Sequence, residues 1–325
     1  MAVMTYREAL SQALREALDN NPNCFIMGED IGLYGGSYAV TKGFITKYGN
    51  KRIIDTPISE SAIVGCGIGA AMGGMRPIVE IMSINFSLLA LDQIVNSAAK
   101  LHSMSGGQIS VPLIIRMVSG GGNQLAASHS QSLEGWYATV PGLKVVCPAS
   151  PHDVKGLFRT AMKDNNTVIF VEHSLLYRMR GEVPETPYEV PFGKADVKRQ
   201  GSGVTIVAYL RMTQVALSAA EQLAKQGIDC EVVDLRTLRP LDMETVTASV
   251  KKTNRCVVVE EAWKTGAFGA EIVNQVYDRC FDYLDGEVKR VAGVDVPMPY
   301  ARHLELACIP NENDVMTAVK SFFGG

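Results

Sequence analysis

No Cys-x-x-Cys, no His-Glu-x-x-His, no Gly-x-Ser-x-Gly and no phosphate-loop motif occurs in the 325 residues. The first two absences speak against common zinc sites, the third against α/β-type serine hydrolases, and the fourth against P-loop nucleotide hydrolysis. A basic run is also missing. With 31 Lys and Arg against 34 Asp and Glu, the formal charge is -3, which gives no electrostatic reason to expect nucleic acid or an anionic membrane as partner. The seven cysteines are scattered and odd in number, so a disulfide framework is not expected and a reducing compartment fits best. The longest charge-free apolar stretch falls short of the roughly 18 residues that suggest a membrane span, and no transmembrane segment is expected.

What is present is core-forming material. At 47% apolar and 20% charged residues, the chain can bury a large interior and is long enough for two domains. Thr5 and Glu8 have capping-box spacing ahead of Ala9, Leu10, Ala13, Leu14, Ala17 and Leu18. That pattern predicts a folded amphipathic helix at the start of the chain, not a signal peptide. Apolar runs at 24–28, 77–83, 111–118, 143–148 and 167–173 read as buried strands, and 61–75, 86–104 and 151–163 as helices. The alternation predicts a doubly wound α/β domain over 1–180, with ligands at the C-terminal ends of its strands. Residues 181–202 carry three prolines and many charges and read as a linker. A second, smaller α/β series over 203–325 follows, with strands at 204–210, 228–235 and 255–262.

Candidate chemistry begins with DTPISESAIVGCGIGAAMGG, residues 55–74, where Glu60 directly precedes a segment without charge from Ser61 to Met75. A helix apolar on every face must lie buried or against another subunit. A carboxyl at its mouth pairs, coordinates something, or has its pKa raised. Gly65-Cys-Gly67-Ile-Gly69-Ala70 also fits the dinucleotide fingerprint and keeps a nicotinamide oxidoreductase in view, but no convincing strand precedes it. The polar, glycine-bearing segment 120–142 lies between two strands, where α/β proteins place functional loops, and holds His129 flanked by Ser128, Ser130 and Gln131. Its imidazole suits acid/base work near neutral pH. The abrupt helix stop at Asp164-Asn165-Asn166 leaves terminal carbonyls that either meet water or bind a cation.

Six separated blocks occur in a recognisable order: IMGEDIGLYGGSYAVTKG, DTPISESAIVGCGIGAAMGGMRPIVEIM, NFSLLALDQIVNSAAKLHSMSGG, SHSQSLEGWYATVPGLKVVCPASP, VVDLRTLRPLD and VPMPYA. Through them the chain resembles, from end to end, β subunits of the thiamine-diphosphate-dependent first component of 2-oxo acid dehydrogenase complexes. Within that family it resembles the pyruvate dehydrogenases of cyanobacterial or plastid type. The resemblance implies an N-terminal thiamine-diphosphate pyrimidine-binding domain and a C-terminal transketolase-like domain. It implies that Glu60 hydrogen-bonds a ring nitrogen of the aminopyrimidine and that Phe86 walls that ring. His129 is implied as a proton donor or acceptor in carboxylate recognition or lipoyl acylation, and a structural potassium ion is implied at carbonyl groups of Leu113, Ala161, Met162, Asp164 and Asn166. In this superfamily Gly-Asp-Gly and a later asparagine hold diphosphate and magnesium, and no Gly-Asp-Gly is present here. The resemblance therefore implies an α subunit that holds Mg2+ and shares the cofactor in a tetramer of two α and two β chains, docked on a dihydrolipoyl acetyltransferase core. Leu89 and Thr139-Val140 depart from residues frequent in relatives and bear on substrate choice. Pyruvate is the expected substrate, with branched-chain 2-oxo acids or acetoin as alternatives, in a bacterial cytoplasm or plastid stroma.

Overall fold

A computed structural model describes residues 1–324. The chain divides into two compact units, Met1–Ser119 with Tyr137–Phe192, and Gly120–Trp136 with Gly193–Gly325.

In the first unit six parallel strands lie in the order Lys144–Val146, Val168–His173, Ile114–Ser119, Arg76–Ile81, Cys24–Gly28 and Ile53–Asp55. Four of the central strands are largely apolar and nearly all buried, as parallel strands covered on both faces must be. One covering helix, Tyr6–Asn20, starts with the expected capping box: Thr5 Oγ1 accepts from Glu8 N at 3.2 Å and Glu8 Oε2 accepts from Thr5 N at 2.7 Å. Its Ala9, Leu10, Ala13 and Leu14 are buried against the helix Pro151–Ala161 and the sheet.

The second unit has strands in the order Lys289–Gly293, Cys256–Trp263, Val204–Ala208, Cys230–Asp234 and Asp196–Arg199, parallel except for the last, an antiparallel edge. The helices Arg211–Ala224 and Glu312–Lys320 pack against it, as does Met243–Thr253, whose N-cap Asp242 accepts from Thr245 N at 3.2 Å. Both units are thus the α/β layers that the alternation predicts.

Two expectations fail locally. Residues 86–104 are not one helix but a 3₁₀ turn Phe86–Ala90, a π-helical segment Gln93–Ala98 and a short helix Leu101–Met104. Ser87 Oγ donates back to the carbonyl of Ile84 and also meets Tyr137 Oη, offering the chain a local partner in place of the regular helical ladder. The 181–202 stretch is not featureless either: Arg180–Val183 pairs with Ala2–Thr5, and Asp196–Arg199 forms the sheet edge. All three prolines fall between those strands, where no ladder hydrogen bond is required. No helix among the described residues is long and apolar enough to cross a membrane.

Candidate active site

Glu60 is the first residue of the helix Glu60–Met72 and is only 4% exposed. The path to it is fixed from both sides: Thr56 N donates to Gly28 O at 3.0 Å, and Asp55 Oδ1 accepts from Gly32 N at 2.6 Å. Helix and strand ends therefore converge where parallel α/β sheets place ligands.

Gly67 shows why this helix needs small residues, since a Cβ there would meet Val79 Cγ1 at 2.9 Å and Leu113 Cδ1 at 3.1 Å. Gly65 to Ala70 lie inside the helix, not at a strand-to-helix turn, so the dinucleotide reading fails on geometry. The uncharged helix is not wholly covered. Ile63, Val64, Ile68 and Ala71 are buried, whereas Ala62, Cys66, Gly69 and Met72 are exposed in the single chain.

Glu29, at the end of the neighbouring strand, is a site residue that sequence reasoning missed. It is buried, and its Oε1 finds no hydrogen-bond partner among the described residues; Thr56 Oγ1 is in the same condition. Burial pushes the Glu29 carboxyl above its ordinary value of 4.5, and the charges of Glu60 and Asp30 push it further. The available signal was its place one residue past a strand, in MGED. A carboxyl whose folded pKa exceeds its unfolded one stabilises the fold below about pH 4.5 and loses that contribution as pH rises through the folded value. Glu29→Gln is therefore expected to raise stability at pH 8, because a neutral amide removes the cost of holding an ionised carboxylate there beside Glu60. No gain is expected near pH 4, and melting curves at the two pH values measure the difference.

Phe86 is half-buried at the start of its 3₁₀ turn, and that turn packs against the helix of Glu60. The structure thus brings these two elements together within the first unit. Of the carbonyl set, Ala161, Met162, Asp164 and Asn166 share the turn that ends the helix Pro151–Ala161, and Leu113 O accepts from Val168 N at 2.9 Å just beyond it. Ala161 O accepts from Asp164 N at 3.2 Å and from Arg76 Nη2 at 2.6 Å, and Lys144 pairs with the Asp164 carboxylate. Two protein cations therefore already lie at this turn.

His129 belongs to the second unit. It ends the 3₁₀ turn Ala127–His129, is exposed, and its Nδ1 lies 3.0 Å from Ser128 Oγ. Beside the turn opens a cavity of about 580 Å³, lined among others by Ala127, Gln131, Trp263 and Asp295. Hydrogen bonds from Thr265 hold the Asp295 carboxyl below its usual range, so it is ionised there at neutral pH. Among the described residues no group of three or more His, Cys, Asp or Glu side chains is placed to hold a metal ion.

The pattern described as "Transketolase, pyrimidine binding domain" matches residues 2–180, and "Transketolase, C-terminal domain" matches 193–315. A solved structure titled "Split gene transketolase, inactive beta4 tetramer" superposes with a TM-score of 0.79 over 99% of this chain and 98% of that one, at 24% identity, and supports the fold alone. Fold and site define the transketolase class of thiamine-diphosphate-dependent proteins. "Pyruvate dehydrogenase E1 component subunit beta" of Rickettsia felis is 49% identical over 317 residues, 98% of this chain and 97% of that protein. "Pyruvate dehydrogenase E1 component subunit beta-2, mitochondrial" of Oryza sativa subsp. japonica is 48% identical over 321 residues, 98% of this chain and 85% of that protein. The chain belongs to the family of pyruvate dehydrogenase E1 component β subunits.

Proposed function

We propose that this chain is the β subunit of a pyruvate dehydrogenase that decarboxylates pyruvate and passes the acetyl group to lipoyl groups of a dihydrolipoyl acetyltransferase. The observation that carries the reading is the buried Glu60 carboxyl at a helix start beside a second buried carboxyl, Glu29, with an unpartnered oxygen. A nitrogen heterocycle with both donors and acceptors fits that set, because it supplies what the buried oxygens lack. When bound, thiamine diphosphate supplies the electron sink for decarboxylation. Glu60 would share a proton with the ring nitrogen from its water-excluded carboxyl, Phe86 would cover the ring, and His129 would donate or accept a proton during lipoyl acylation.

Without Gly-Asp-Gly in the chain, the diphosphate and Mg2+ fall to an α subunit, in an assembly of two α and two β chains. The uncharged exposed face of Ala62, Cys66 and Gly69 suits such a permanent contact. Potassium is proposed at the carbonyls of Leu113, Ala161, Met162, Asp164 and Asn166. A bound ion would share the Ala161 carbonyl with Arg76 and the Asp164 region with Lys144.

The expected result is that the purified chain alone has no 2-oxo acid decarboxylase activity and gains it, highest on pyruvate, when co-purified with an α partner. Activity of the chain alone would refute the reading, and a preference for branched substrates would correct it.

A further inference from the structure

The turn that leads to His129 is an expensive conformation. Gly120 and Gly122 have φ of 88° and 98°, and two residues with side chains, Gln124 and Ala126, are held at 57° and 62°. Such values are strained for residues with a Cβ and persist only when the surroundings impose them. Within the second unit two carboxylates do so. Gly121 N donates to Glu261 Oε1 at 2.7 Å, while Gly122 N and Gln124 N donate to Glu305 Oε1 at 2.9 and 3.0 Å, the latter also reaching Oε2 at 3.1 Å.

Glu305 is fully buried, and the side chain of Glu261 is 7% exposed. Convergent main-chain N–H groups in such a turn form an anion-binding nest, and here the anion is the protein's own. The anchors stand on regular elements: Glu305 in the first turn of the helix Arg302–Cys308, where the dipole favours negative charge, and Glu261 on the strand Cys256–Trp263. Arg211 Nη1 stands 3.6 Å from Glu261 Oε2 and holds that carboxylate in turn. Close packing completes the clamp, for a Cβ on Gly121 would meet Ile309 Cδ1 at 3.0 Å and Met298 Cε at 3.2 Å.

We propose that Glu305, assisted by Glu261, is a positioning residue that locks the turn 121–126 so that the His129 imidazole is presented in one orientation. This rests on the reading of His129 as the proton-transfer group of lipoyl acylation. A neutral, isosteric glutamine at 305 keeps the volume but weakens the charge-assisted bonds to the amides and places an NH2 group where an acceptor is needed. The step served by His129 then suffers while decarboxylation does not.

The test uses the assembled α–β enzyme carrying Glu305→Gln, with His129→Ala as comparator. Three quantities are read: acetylation of a lipoyl domain, pyruvate decarboxylation with ferricyanide as electron acceptor, and amide hydrogen exchange of the 120–131 segment. Expected are at least tenfold faster exchange of the segment, at least a tenfold loss in lipoyl acetylation and less than a threefold change in the ferricyanide assay. An equal fall in both activities, or unchanged exchange, overturns the assignment, the first because it marks a merely structural role. His129→Ala without a selective loss overturns the reading of His129 and this assignment with it, whereas a selective His129→Ala beside an unaffected Glu305→Gln overturns the assignment alone. If Glu305→Gln does not assemble, Glu261→Gln, which releases only the Gly121 amide, is judged by the same criteria.

Discussion

Glu60→Gln is expected to reduce turnover of the reconstituted enzyme by 10² or more while leaving its assembly and cofactor affinity nearly unchanged. The exchange replaces one carboxyl oxygen by an amide nitrogen of similar size at a position only 4% exposed, so packing at the helix start is preserved. What is lost is a proton that can be given up. A glutamine amide donates a hydrogen bond but does not transfer its hydrogen at neutral pH, and loss of a positioned proton-transfer group typically costs a factor of 10² to 10⁴. Burial gives the loss its size, since a carboxyl only 4% exposed leaves little water to take over the role. Two measurements decide it: single-turnover decarboxylation for the chemical step, and calorimetric titration with thiamine diphosphate for binding. A near-normal rate would remove Glu60 from the chemistry, and a rate lost only through weakened cofactor binding would reduce it to an anchor.

The burial of Glu60 was readable before any fold, because it stands against a chemically blank background and the residue contrast alone marks a buried carboxyl. The layers were equally readable, since parallel strands covered on both faces leave continuous apolar runs such as CFIMG and TVIFVEH. The three-residue strand Ile53–Asp55 left too short a run to be seen. The break in 86–104 was hidden because Ser87 takes part in an Ile84 and Tyr137 contact that spans 50 residues of chain. Glu261 and Glu305 were missed for a common reason: each acts through main-chain amides brought close only by folding, and no local pattern encodes that. The exposed side of the Glu60 helix teaches the reverse lesson. Its lack of charge reads as a demand for cover, and the single chain covers only the inner face.

Replacing Arg116 by Met is expected to be the most damaging single change to stability, at about 3–5 kcal/mol, the usual cost of stripping one partner from a buried ion pair. Arg116 is 2% exposed on the central strand Ile114–Ser119. Its Nε and Nη2 donate to the two oxygens of Glu172 at 2.7 and 2.9 Å, and its Nη1 donates to Glu80 Oε2 at 2.5 Å. Burial alone would push the guanidinium pKa down, but the charges of Glu172 and Glu80 more than reverse this, so the side chain stays charged. Methionine fills the volume and leaves two carboxylates facing each other with Glu172 fully buried. The damage reaches the loop that follows Glu29 through Tyr177, whose Oη donates to Glu172 Oε2 at 2.6 Å while its ring stacks on Tyr38 at 4.8 Å. Urea midpoints of the chain carrying Arg116→Met, Glu172→Gln and the pair provide the check. Because the neutral glutamine removes the stranded charge, the double variant is expected to recover at least 1 kcal/mol over the sum of the singles, a coupling that residues in direct contact can carry. Strict additivity would mean that the guanidinium and the Glu172 carboxylate are energetically independent.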